Sequence, residues 1–211
     1  MPSNPYDERY GREGCYWGMA PSALCDRVLE ALQPRSGDGL SLLDLGCGEG
    51  RNAIYFACHG FRVTGLDTSM PGLEKARRYA GEAGVDVQTV CADLRSYALG
   101  QTYDVIFSTG AVHYIPPDTR RERFEHFKAR TAPGGLNAHS ALVGKPFIGE
   151  APDADLGTVL FTSGELMGYH WDWEILYSVE EIFDCTSAGI PHKHAVNRIV
   201  ARRYEAGAGR G

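Results

Sequence analysis

The chain has 211 residues, 43% of them apolar and 23% charged, with a formal charge of −6. That length suits one domain around one core, and the acidic balance leaves no net basic surface for a phosphate backbone, so nucleic acid is not an expected partner. No run approaches ~18 consecutive apolar residues and no basic region precedes an apolar signal core; neither a membrane partner nor a secretion signal is expected, and the compartment read from the sequence is the cytoplasm.

In chain order, residues 1–9 and the tail from Glu205 are polar and Gly/Pro-rich, which predicts frayed ends. Pro21–Leu32 sets Leu24, Val28, Leu29 and Leu32 on one helical face, the centre of an N-terminal helical cap over about 10–35. Apolar β-rich runs then alternate with helix-period segments. The runs are SLLDL (41–45), FRVTGLD (61–67), VDVQTVCAD (85–93), YDVIFST (103–109) and LNAHSALV (136–143); the helices are Arg51–His59, Met70–Gly81 and Asp118–Arg130, the last capped by Asp118 and closed by Pro133-Gly134-Gly135. Residues 144–168 are irregular and longer than an ordinary connection, which predicts a lid. WEILYS (173–178) and AVNRIVARR (195–203) follow, with an interrupted link between them and no full crossover helix, hence an antiparallel pair. The expected architecture is a single α/β domain over 1–211: a Rossmann-like doubly wound mixed sheet of about seven strands with a C-terminal antiparallel hairpin.

The chemistry concentrates in LLDLGCGEG (42–50). Gly46, Gly48 and Gly50 follow the first strand, where a doubly wound sheet binds its ligand and bare backbone allows close approach. The spacing is GxGxG rather than the GxGxxG of a pyrophosphate loop, and Asp44 and Glu49 would repel phosphates but can accept from an ammonium group, directly or through water. Asp67, at the end of the second strand, is placed for ribose hydroxyls, and Asp93 after the third for an exocyclic adenine amine. Adenosine joined to a cationic amino acid meets all these conditions, which points to S-adenosylmethionine as cofactor and S-adenosylhomocysteine as product.

With LLDLGCGEG, VTGLDTS, CADLRSY, YDVIFSTGAVHYI and APGGL in this order, the chain resembles the class I methyltransferases over roughly 20–203. YWGMAPS, GRNAIYFACHGFRVTGLD and HKHAVNRIVARR are similar to their tellurite-resistance, TehB-like branch. The resemblance implies that Gly46, Cys47, Gly48 and Gly50 line the methionine part with Arg51 and Asn52 opening the next helix. It further implies Asp67, with Thr68 and Ser69 beside it, at the ribose, Asp93 and the Leu94 backbone at the adenine, and Ser108 to His113 as the floor near the reactive methyl. Tyr16 and Trp17 could close over the cofactor or staple the first helix to the sheet.

Methyl transfer from a sulfonium relies on positioning and on removal of water. A thiolate or a selenium or tellurium oxyanion needs little base assistance; an oxygen or nitrogen acceptor often needs a base, and His113, beside Tyr114, is the candidate because a histidine titrates near neutrality. His170, Trp171, Cys185, His192 and His194 are candidate substrate-side groups. The pair His192 and His194 points to one side of an extended segment, but a metal would want a third ligand, which Cys185 or His113 supplies only if the fold brings it close; no metal is assigned. The six cysteines, which include Cys15, Cys25, Cys58 and Cys91, form no CxxC pair and suggest neither a zinc knuckle nor a disulfide framework.

The function read from the sequence is methyl transfer to a small molecule, favouring a thiol or chalcogen oxyanion, by a monomer or homodimer. The alternative is a metabolite O- or N-methyltransferase. A non-catalytic cofactor-binding module and a nicotinamide oxidoreductase stay open, the latter disfavoured by GxGxG with Glu49.

Overall fold

The computed structural model describes residues 4–151, 157–186 and 190–204. Helix α1 (Pro5–Tyr10) is followed by α2 (Ala23–Leu32), β1 (Ser41–Leu45), α3 (Arg51–Cys58), β2 (Arg62–Asp67), α4 (Met70–Glu82), β3 (Val87–Cys91) and β4 (Tyr103–Thr109). A 3-10 turn (Val112–Tyr114), α5 (Pro117–Ala129), β5 (Thr131–Val143), the short α6 (Glu165–Gly168), β6 (Glu174–Cys185) and β7 (His192–Arg202) complete it. The seven strands lie in the order β3-β2-β1-β4-β5-β7-β6, parallel through β5, with β7 antiparallel to both β5 and β6. This is the doubly wound mixed sheet of seven strands, ending in an antiparallel pair, expected from the sequence.

Successive strand residues point to opposite faces, and here both faces are covered. Leu42 joins Leu24, Val28, Phe56 and Leu73 under α2, α3 and α4, whereas Leu43 and Leu45 join Ile106, Phe124 and Phe127 under α5. Double burial explains why β1 and β4 carry adjacent apolar residues, Leu42-Leu43 and Val105-Ile106-Phe107, rather than strict alternation.

Four expectations need correction. The N-terminus is not frayed from residue 4 onward: Asn4 caps α1 by accepting from the Tyr6 N–H (3.0 Å), and Ser69 Oγ donates to Asp7 (2.6 Å), which holds α1 against α4. Residues 1–3 and the tail from Glu205 lie outside the described residues. Asp118 does not cap α5; the helix starts at Pro117, and Pro116 stands at the cap without a side-chain bond. Pro133-Gly134-Gly135 lies inside β5, where the pairing with β4 shifts register between Tyr103 and Val105. The C-terminal strands are longer than read, because β6 runs to Cys185 and β7 starts at His192; the edge strand β6 and the start of β7 that pairs with β6 alone tolerate the polar side chains that broke the apolar pattern.

Candidate active site

Strand order reverses between β1 and β4, each of which leads to a different side of the sheet, and a cleft opens at their carboxyl ends as this topology requires. The cavity holds about 940 Å³ and continues past β5 to the β6–β7 pair, a size at the upper end for small-ligand sites.

At the β1–β2 end of the cleft the glycine loop is tied to β2. The Gly46 and Cys47 N–H groups both donate to the Leu66 carbonyl (2.7 and 3.0 Å), and the Gly48 N–H donates to Asp67 Oδ2 (2.8 Å). The second Asp67 oxygen accepts from the Ser69 N–H (2.9 Å). Burial raises the Asp67 pKa, against the pull of those backbone donors. Gly46, Cys47, Gly48, Arg51, Asn52, Asp67 and Thr68 all reach the cavity wall. Gly50 does not; it caps α3 at φ +89, and an added Cβ would lie 2.8 Å from Ala76 Cβ, so its bareness serves helix packing.

The two acids of the loop depart from the expectation. Glu49 reaches the cavity wall but is engaged within the protein: it pairs with Lys75 (2.8 Å) and accepts from the Tyr16 N–H (2.7 Å) and Cys15 Sγ (3.2 Å). Asp44 sits behind the wall, fully buried; burial and then the Asp67 charge push its carboxyl up to about 7, and Oδ2 has no hydrogen-bond partner. Neither is poised to take an ammonium group directly.

Asp93 and Leu94 line the cavity. Burial would raise the Asp93 pKa, but the Arg95 side chain and backbone N–H grip its carboxylate and bring it below the ordinary value. Ser108 is not part of the floor: it is buried, and its hydroxyl donates to the Leu45 carbonyl (2.8 Å), joining β4 to β1. The next residue, Thr109, faces the cavity and accepts from Asn52 Nδ2 (2.8 Å). Ser69 is likewise a buried cap of α4 rather than a wall residue. Of the N-terminal aromatics, Trp17 reaches the cavity while Tyr16 packs edge-on against it (4.8 Å between ring centroids).

Sequence reasoning missed α1. Tyr6 and Tyr10 cover this end of the cleft, the Tyr6 hydroxyl meets that of Tyr114 (2.5 Å), and Asn4 Nδ2 donates to Thr68 (2.9 Å). The available signals were the Asn4-Pro5 helix start and the i, i+4 spacing of the two tyrosines.

At the far end, His113 lies on the wall in the 3-10 turn, 4% exposed, with Nδ1 unpartnered. Burial first, then Arg120 and His194, push its pKa down to about 3. The near-neutral titration read from the sequence is therefore corrected: the ring is neutral. Leu142, Val143, Ile148 and Leu160 make the adjoining wall largely apolar. His170 and Trp171 are not at the site. His170 is fully buried beneath α5 against Leu166 O (3.2 Å) and Asn137 (3.3 Å), while Trp171 is 77% exposed; residues 169–173 form a turn before β6 that sends Trp173 into the core. Cys185 and His194 do reach the wall, and His192 stands beside them.

The expected lid is anchored where described. The Phe161 backbone bridges to β5, the Val159 N–H donates to the His113 carbonyl (2.9 Å), and the buried Arg120 binds the Ile115 carbonyl (2.9 Å), Glu165 (2.9 Å) and the Val159 carbonyl. Residues 152–156 of that segment lie outside the described residues.

Residues 42–135 match the family model described as a methyltransferase domain. Hemagglutinin 1 of Eikenella corrodens is 29% identical over 140 residues, covering 66% of this chain and 46% of that protein. The probable S-adenosyl-L-methionine-dependent methyltransferase TehB of Haemophilus influenzae is 27% identical over 135 residues, covering 64% and 46%. The chain thus spans about half the length of these curated relatives. The TehB crystal structure superposes with a TM-score of 0.73 at 22% identity, over 94% of this chain and 65% of that one. Magnesium protoporphyrin IX methyltransferase of Synechocystis with bound S-adenosylhomocysteine superposes with a TM-score of 0.64 at 18% identity, over 85% and 81%.

Residues 42–135 thus match a methyltransferase domain, and the sheet around them has the fold of the class I S-adenosylmethionine-dependent methyltransferases. Within that class its similarity runs to TehB, in sequence and in structure. No helix among the described residues is long and apolar enough to cross a membrane.

Proposed function

We propose that the described residues act as one catalytic domain that methylates a soft nucleophile on a small molecule, a thiol or a selenium or tellurium oxyanion. The observation that carries this choice is His113: the ring beside the expected methyl position has a pKa of about 3 and sits against an apolar wall. Such a ring is a poor proton acceptor near neutrality, and a thiolate or oxyanion does not need one.

The residues present fit the cofactor. The carboxylate of Asp67 borders the cavity and spends only one hydrogen bond per oxygen on the backbone, which leaves acceptor capacity for ribose hydroxyls. Gly46 and Gly48 present bare backbone beside it, and Asp93, Leu94 and the tyrosines of α1 enclose the adenosine side. The cofactor, when bound, supplies an electrophilic methyl on a sulfonium. The chain's own residues then orient and dry the site. Asp67 and Asp93 fix the nucleoside, Tyr6, Tyr10 and Trp17 cover it, and His113 with Leu142 and Ile148 strips water from the incoming nucleophile, which raises the reactivity of an anion. Tyr114, held by Tyr6, positions the turn that carries His113.

The test is release of S-adenosylhomocysteine from the purified chain against selenite, tellurite, simple thiols, phenols and amines, with His113→Ala in parallel. Turnover with sulfur or chalcogen acceptors that survives His113→Ala within about tenfold is expected. Turnover confined to oxygen or nitrogen acceptors, and abolished in His113→Ala, would establish the metabolite methyltransferase instead; the unpartnered Nδ1 of His113 is the feature that favours that second reading.

A further inference from the structure

Cys185 and His192 face each other across the β6–β7 ladder, and His194 lies two residues on, opposite Phe183. All four side chains therefore share one face of the pair. The ligand atoms of Cys185, His192 and His194 lie within 4.8 Å of one another, and no other group of three such side chains meets that condition among the described residues.

The cluster has the features of a prepared donor set. His192 Nδ1 lies 2.7 Å from the Ile190 carbonyl, so this nitrogen carries the proton and Nε2 presents its lone pair. That Nε2 is 2.9 Å from His194 Nε2, a separation slightly under what two imidazoles take on one tetrahedral ion. The His194 ring packs on Phe183 with 5.6 Å between centroids, which limits its rotation. Two imidazoles and one thiol form a borderline-soft set.

We infer that Cys185, His192 and His194 form a binding site for one divalent transition-metal ion of the zinc class, with a fourth coordination position open to the cavity. Structural zinc sites close with four protein ligands, whereas three leave an exchangeable position. Cys185 and His194 line the same cavity as His113, so that position faces the acceptor end. Nearby cations do not supply free positive charge there: Lys193 pairs with Asp184 (2.6 Å) and Arg198 with Glu181. A divalent ion on one thiolate and two neutral imidazoles would leave one net positive charge, suited to a thiolate or chalcogen oxyanion. This role toward the acceptor rests on the proposed function; the metal site does not.

The test is a Co²⁺ titration of the chelator-treated full chain, without cofactor, followed by absorption. Expected are a thiolate-to-cobalt charge-transfer band and the intense d–d bands of a four-coordinate ion, at one ion per chain and displaced by Zn²⁺. Cys185→Ser should abolish the charge-transfer band, and His192→Gln and His194→Gln should each weaken binding by at least the ~10–100-fold that loss of even an outer-shell partner costs. No charge-transfer band, or one unchanged in Cys185→Ser, overturns the site. A second measurement needs no variant: Zn²⁺ should slow alkylation of Cys185, read by mass spectrometry, without slowing that of the exposed Cys58 and Cys91. Equal slowing or none also overturns it. Adding a simple thiol to the cobalt form should intensify the charge-transfer band; an unchanged spectrum overturns the open fourth position. Since these readouts involve no methyl transfer, their failure would leave the proposed reaction untouched.

Discussion

Lys75 reaches from α4 to Glu49 in the glycine loop, Nζ to Oε1 at 2.8 Å, with the Glu49 side chain 2% exposed. The same ammonium donates to the carbonyls of Arg12 (2.6 Å) and Gly14 (2.7 Å), so one charge pins the loop and the N-terminal segment together. Removing one partner of a buried pair strands the other. Lys75→Met is expected to destabilise the fold by about 3 kcal/mol in chemical denaturation, and Glu49→Gln/Lys75→Met to recover most of that loss. Equal stability of the two variants would mean that Lys75 contributes through its backbone contacts alone.

Asp67→Ala is expected to weaken cofactor binding by about 1–3 kcal/mol, read by calorimetry with S-adenosylhomocysteine. The loss combines the ribose contacts and the Gly48 N–H left without its acceptor. Unchanged affinity would remove Asp67 from the ribose end.

A Cβ on Gly48 would lie 2.7 Å from the Tyr10 hydroxyl, at φ +53. Gly48→Ala is therefore expected to cost about 1–3 kcal/mol and to displace α1 from the cleft. Because the nearest atom is the hydroxyl, adding Tyr10→Phe should restore part of the lost cofactor affinity. If the double variant binds no better than Gly48→Ala, backbone strain rather than the clash is the cause.

Glu165 accepts from Arg120 Nη1, the Tyr169 hydroxyl (2.8 Å) and the Thr162 N–H (2.8 Å). Burial would raise its pKa, but these donors together bring it below 4.5. A carboxylate depressed in the folded state contributes stability above its unfolded value, lost as pH falls through the folded one. Glu165→Gln should be less stable than the parent by about 2 kcal/mol at pH 7, and the gap should close on acidification from 4.5 downward. A gap independent of pH in thermal melts would show that the Glu165 charge is not involved.

The parallel half of the sheet was legible because β1 and β4 carry apolar runs that lead into glycine and β2 ends in Asp67, signals that act locally. Side-chain direction at strand ends was less so: Ser108 and Thr109 are adjacent, and only the pleat decides that Thr109 faces the cleft while Ser108 ties two strands. Glu49 was misjudged because its partner, Lys75, is 26 residues away and no local pattern pairs them. His113 was placed correctly but given an ordinary titration, since desolvation depends on what packs around the ring. Cys185 and His192 meet only through the cross-strand register, which polar edge sequences specify weakly.

The cavity rests on two kinds of support. Its cofactor end is carried by β1, β2 and β4, buried on both faces, where the glycine loop, Asp67 and Lys75 constrain one another. Its far end, proposed for the acceptor, is bordered by β6 and β7, the terminal pair of the sheet, together with β5 and the 3-10 turn. On β6, the edge strand, side chains are half-buried or exposed, so substitutions there disturb few neighbours. The range of molecules accepted can thus drift, by selection or by design, on a scaffold whose methyl source stays unchanged.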